Sequence, residues 1–138
     1  MPRKTLKKAS ELDKFRQWIK HLRIKSEKIP VIVRGEREKR RLAGLKIKNI
    51  YILKDPYFAL AEKLADQYNE AILLFDVTKN GHKVYEKIQR EFELVGIKID
   101  NRFRQFIYHT KQKTIQGLIT YIEKYLFAGL NPRKTINL

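Results

Sequence analysis

One residue stands where a reaction centre could form. Asp76 follows directly on a continuous apolar run, Ala71–Phe75, and is itself followed by polar residues and Gly81. An aspartate carries the hard oxygen that Mg²⁺ prefers, yet a divalent ion needs more than one carboxylate to be held against water. Asp76 is therefore either a working ligand or a relic. Other chemistries have little to build on. His21, His82 and His109 lie far apart and form neither an H-x-x-x-H nor an H-E-x-x-H spacing. They read as ordinary surface or interface histidines. The chain has no cysteine, which excludes disulfides, thiolate metal sites and cysteine nucleophiles. Ser10 and Ser26 are the only serines, too few for a serine triad once Ser10 is assigned to a helix cap. Gly35 and Gly81 are single glycines with no G-x-x-x-x-G-K-[ST] around them, so a P-loop is excluded.

The elements that would position Asp76 follow from apolar spacing. Ile29–Val33, Asn49–Leu53 and Ala71–Phe75 are short runs that read as buried parallel strands, with Pro30 at the start of the first, where it costs no ladder bond. Between them, Glu36–Leu45 and a segment opened by Asp55 as N-cap and Pro56 at the first helical position read as helices. A long helix follows Gly81, uses Val84, Tyr85, Ile88, Phe92 and Val95, and closes at Gly96. Alternating strands and helices with short joints predict a parallel sheet with right-handed crossovers. Ile97–Ile99 is a candidate fourth strand. Asn101–Tyr108 and Ile115–Phe127 are further helices, and Gly129–Pro132 stops the last of them. At the other end, residues 1–9 show no period and read as a flexible basic arm. Ser10 and Asp13 form a capping box that starts a helix with Leu12, Phe15, Ile19 and Leu22 on its inner face. The outer face of that helix is solvated, touches phosphates, or lies on a membrane surface.

The chain has 138 residues, enough for one domain and one real core. Apolar residues make up 43% of it, which argues for a folded chain. It carries neither a signal-peptide pattern nor a run approaching the ~20 residues of a membrane span, so a soluble, cytoplasmic protein is expected. A charged content of 33%, rich in Lys and Glu, suggests a thermophile. The net charge is +16 and the pI about 10.1. Such an excess on a small domain points to a polyanionic partner. The excess is also segregated. Residues 1–28 hold 10 Lys/Arg against 3 Asp/Glu, residues 29–48 hold 7 against 2, and residues 97–138 hold 8 against 2. Residues 71–96, by contrast, are balanced at 4 and 4.

P-V-I-V-R-G-E-R-E (Pro30–Glu38) and I-L-L-F-D-V-T-K-N-G (Ile72–Gly81) give these strand ends a resemblance. A strand ending in V-x-G, a middle β-α unit and a strand ending in L-x-D-x-x-x-x-G resemble the Toprim domain. In particular the chain is similar to small archaeal stand-alone Toprim proteins over about residues 29–128. The resemblance implies a glutamate at the first strand end and a D-x-D pair at the third, together holding Mg²⁺. Here the glutamate position is Arg34 and the second aspartate is Thr78, leaving Asp76 alone. Replacing an acid by an arginine exchanges −1 for +1 at about 4–6 Å from the ion and repels it. A salt bridge between Asp76 and Arg34 across the two strand ends is the expected substitute.

The sequence therefore predicts an α/β chain: a basic N-terminal arm and helix (1–28), a Toprim-like domain with a small parallel sheet flanked by helices (29–128), and a basic tail (129–138). The expected function is a non-catalytic RNA-binding protein without cofactor, metal or small-molecule substrate. Its partners would be structured RNA, specifically rRNA of an archaeal ribosome, with the large subunit favoured, and neighbouring ribosomal proteins. The absence of a helix-turn-helix, zinc-finger or basic-zipper pattern favours reading by shape and phosphate. Expected contacts are Arg3, Lys4, Lys7 and Lys8 in the arm, and Lys14, Arg16 and Lys20 on the first helix. Arg34, Arg37, Arg40 and Arg41 follow the first strand, and Lys79 and Lys83 follow the third. Tyr108, Lys111 and Lys113 lie near the C-terminus, with Arg133 and Lys134 in the tail; Tyr108 and His109 could stack on an unpaired base. The alternatives are a Mg²⁺-dependent Toprim nuclease or topoisomerase-like enzyme acting on RNA or DNA, and a DNA-associated accessory protein.

Overall fold

A computed structural model describes the backbone of residues 3–126 and the side chains of residues 11–126. The expected tail, with Arg133 and Lys134, lies outside the described residues, as do the side chains of Arg3, Lys4, Lys7 and Lys8. Ten elements follow in order: α1 (Arg3–Ser26), β1 (Val31–Val33), α2 (Glu36–Gly44), β2 (Ile50–Ile52), α3 (Tyr57–Ala65), β3 (Glu70–Leu73), α4 (Lys79–Leu94), β4 (Lys98–Ile99), α5 (Arg102–Tyr108) and α6 (Ile115–Leu126). The four strands form one parallel sheet in the order β2-β1-β3-β4. The chain is α/β, as its alternation of apolar runs predicts.

Side chains alternate across the sheet because successive strand residues point to opposite faces. Val31, Val33, Ile72 and Leu74 meet Leu42 of α2, the inner stripe of α1 and the apolar sides of α5 and α6. Ile32, Ala71, Leu73 and Phe75 meet Ala61 and Leu64 of α3 and Tyr85, Ile88 and Phe92 of α4. Two apolar layers thus sandwich the sheet. Phe15, Trp18, Ile19 and Leu22 of α1 are all buried, and each such side chain contributes on the order of 2 kcal/mol. The N-terminal helix is therefore part of the core and not an appendage.

Strand order fixes where a site can be. The chain moves from β1 outward to β2, then back across to β3 and onward to β4. Right-handed crossovers then require α2 on one face and α3 and α4 on the other, as the two apolar layers show. The segments leaving β1 and β3 diverge to opposite faces, which makes their carboxyl ends the switch point where open α/β sheets place their ligands. Gly81 keeps that corner tight: a Cβ there would lie 2.1 Å from the Asp76 carbonyl oxygen. Only glycine lets the first turn of α4 press against the end of β3.

Three local expectations are corrected. Helix α1 begins at Arg3, not Ser10, so residues 3–9 are helical and Ser10 lies inside the helix. Lys, Arg, Leu and Ala are strong helix formers whatever their apolar period, which outweighs the capping signal. Asp55 is not the cap of α3: Pro56 occupies the N-cap, with no side-chain cap bond, and Tyr57 is the first helical residue. Helix α4 starts two residues before Gly81, with Thr78 as N-cap accepting from the Gly81 amide at 3.1 Å. Its far end matches expectation. Gly96 has φ +90°, and Gly96 and Ile97 return their amides to Glu93 and Phe92 in a Schellman closure.

Candidate nucleic-acid interface at the strand ends

Asp76 is half-buried and tied to the segments that follow β4. Its carboxylate accepts from the Ile115 amide at 2.8 Å, capping the exposed N-terminus of α6. Next to it, the Val77 amide donates to the Lys113 carbonyl at 2.7 Å. The end of β3 is thereby stitched to the loop between α5 and α6. The expected Arg34–Asp76 salt bridge is absent. Continuing the β1–β3 register sets Arg34 opposite Phe75, but a carboxylate placed against an orphan helix amide is satisfied locally. Arg34 is left exposed, without a hydrogen-bond or ion-pair partner among the described residues.

The guanidinium that does serve this corner is Arg104, which the expected contacts omit. It is 8% exposed and donates to the carbonyls of Phe75 at 3.3 Å and Asp76 at 3.0 Å. Its guanidinium carbon sits 4.1 Å from the centre of the Tyr85 ring. Burial pushes its pKa down, while Tyr85 and Asp76 act the other way. Burial pushes the Tyr85 hydroxyl up, against the lowering influence of Arg104. Sequence held a signal for this residue: position 104 precedes the inward Ile107 by three and adjoins the inward Phe103, so it falls on the buried face of α5.

The Mg²⁺ that a Toprim-like site would hold does not fit these residues. Arg34 is a cation where the resemblance expects one donor, Thr78 caps α4, and the Asp76 carboxylate accepts from the α6 N-terminus. Among the described residues, no group of three or more His, Asp or Glu is placed to hold a metal ion.

Basic residues far apart in sequence follow the carboxyl ends of the two central strands. Arg34, Arg37 and Arg40 stand exposed on one side of the sheet and Lys79 and Lys83 on the other. The Tyr108–Lys113 segment is tied to the end of β3 by the Val77–Lys113 bond. Tyr108 is 61% exposed, with the Lys113 ammonium 5.5 Å from its ring centre and His109 edge-on to it. Arg41 is differently employed. Its guanidinium donates to the Gln116 carbonyl and side chain, to Thr120 and to Glu123, tying α2 to α6. Lys14, Arg16 and Lys20 are exposed on α1, Arg16 within 4.0 Å of Asp13.

Comparison with known proteins supplies a family. Over 121 residues the chain is 32% identical to the UPF0292 protein MJ1624 of Methanocaldococcus jannaschii, covering 83% of this chain and 94% of that protein. The chain belongs to the UPF0292 family. A second UPF0292 protein, PYRAB04740 of Pyrococcus abyssi, is 29% identical over 102 residues, covering 72% and 76% of the two chains. A solved structure described as a putative protein from Aquifex aeolicus aligns with a TM-score of 0.69 at 27% identity, covering 73% of this UPF0292 chain and 94% of its own. No family model matches the chain. None of the described helices is long and apolar enough to cross a membrane.

Proposed function

We propose that this chain is a non-catalytic RNA-binding protein whose partner is structured rRNA, as a cytoplasmic constituent of an archaeal ribosome and of its large subunit in particular. One observation carries the reading. At the sheet end where α/β folds present their ligands, the chain offers a guanidinium, Arg34, without a partner among the described residues, with Arg37 and Arg40 exposed on the helix after β1 and Lys79 and Lys83 exposed on the helix after β3. Phosphate oxygens complement such a rim, and phosphate contacts supply most of the affinity for a nucleic acid. The net charge of +16 supports it, and so does the archaeal source of the two UPF0292 relatives. Kinship with Toprim domains is part of the same proposal: a metal crevice whose acids have given way to an arginine and a helix cap. Neighbouring ribosomal proteins would complete the surroundings, with no cofactor or small-molecule substrate.

Sedimentation of cell lysate through a density gradient tests the ribosomal setting. The protein is expected to travel with the large subunit after a high-salt wash. Its recovery only at the top of the gradient would overturn that assignment.

A further inference from the structure

A second feature lies away from the strand ends, between α1 and α5. A depression of about 610 Å³ runs between these helices, and no carboxylate among the described residues lines it. A second, of about 470 Å³, adjoins it through the shared residues Lys14 and Phe106 and has Glu11 and Lys111 in its lining. The floor is apolar. Phe106 is half-buried and stacks on Trp18 with ring centres 5.8 Å apart, and Ile24 is 52% exposed at the side. Trp18 is fixed in place because its indole N–H donates to the Phe103 carbonyl at 3.0 Å. The rim is basic. Lys25 and Arg102 already share Asp100, but Lys14 and Lys28 have no carboxylate partner among the described residues.

An apolar floor bordered by free ammonium groups matches a ligand with flat apolar faces and regularly spaced negative charges. We propose that this trough takes an unpaired stretch of RNA, with a base laid against Phe106 and Ile24 and flanking phosphates at Lys14 and Lys28. Single strands are held in this way: a basic groove follows the backbone while aromatic side chains meet the bases. The inference rests on the RNA-binding reading and deepens it, assigning duplex to the strand-end rim and single strand to the trough.

Trp18 is the only tryptophan of the chain and lies against Phe106 at the trough floor, so its fluorescence is a local probe of this region. The test titrates the full chain with a single-stranded RNA of about eight nucleotides, a duplex of about 16 base pairs, and a polyglutamate peptide. The single strand is expected to alter Trp18 emission. Lys14→Gln with Lys28→Gln should weaken it by at least about tenfold and flatten its salt dependence by about 0.7 per lysine. Circular dichroism of that exposed double variant should match wild type. Phe106→Leu, which keeps the apolar filling, should lose roughly fivefold or more through lost stacking. Single strand that binds without moving Trp18 emission or responding to the lysine variant overturns the proposal. So does a Trp18 response to polyglutamate alone, which gives the trough to an acidic protein. If duplex still binds in those cases, the RNA-binding reading stands; if neither RNA binds, both fall.

Discussion

Lys46 holds a backbone shape that suits glycine better than lysine. It follows the C-cap of α2 with φ +66°, and the amides of Lys46 and Ile47 return to Ala43 and Leu42 in a Schellman closure. A Cβ in the left-handed region costs about 1 kcal/mol, partly offset by the greater freedom of glycine in the unfolded chain. Lys46→Gly is thus expected to stabilise the protein by about 0.5 kcal/mol, read as a higher denaturant midpoint at unchanged slope. Two neighbouring arginines should separate folding from binding. Arg41→Ala removes the ties to Gln116, Thr120 and Glu123 and is expected to cost about 1–2 kcal/mol of stability. Arg40→Ala removes an exposed cation. It should leave stability within about 0.5 kcal/mol and lower the salt slope of RNA binding by about 0.9. Paired denaturation and binding curves check both.

At the scale of elements, α1, β3, β4 and α5 are linked through Asp100, just past β4. Its side chain, 4% exposed, accepts from the Arg102 backbone and guanidinium, with Lys25 of α1 at 3.8 Å. Lys25 also reaches Glu70 of β3 at 3.1 Å. The Arg102 hydrogen bond, opposed by burial, holds the Asp100 carboxyl below its usual range. A depressed folded pKa means stability present in full above the unfolded value, near pH 4, and lost as pH falls through the folded value. Asp100→Asn should therefore cost about 1–3 kcal/mol at neutral pH and leave a shallower loss of stability in an acid titration followed by circular dichroism. Strands, crossovers and the two-sided core were legible in the sequence because apolar runs and helical periods are local signals. The fate of Asp76 was not. Its partner, the Ile115 amide, is 39 residues away, and nothing in the spacing of strand ends says that α6 would bring its N-terminus there. Arg104 was legible in principle from its place on α5, but a cation in a basic stretch reads first as surface.

At the scale of the whole molecule, residues 71–96 are neutral in balance, while exposed cations follow the ends of β1 and β3 and line α1 among the described residues. On the proposed reading, the lysines and arginines of a chain with net charge +16 displace the cations condensed on RNA phosphates, so affinity is expected to fall steeply with salt. The most direct test compares log affinity against log salt for a structured RNA between the wild-type chain and the Arg34→Ala/Arg37→Ala/Arg40→Ala variant. A slope shallower by roughly 2 to 3 in the variant, with the RNA left intact in the presence of Mg²⁺, is the predicted result. An unchanged slope, or RNA cleavage that needs Mg²⁺ and disappears in Asp76→Ala, would contradict the account.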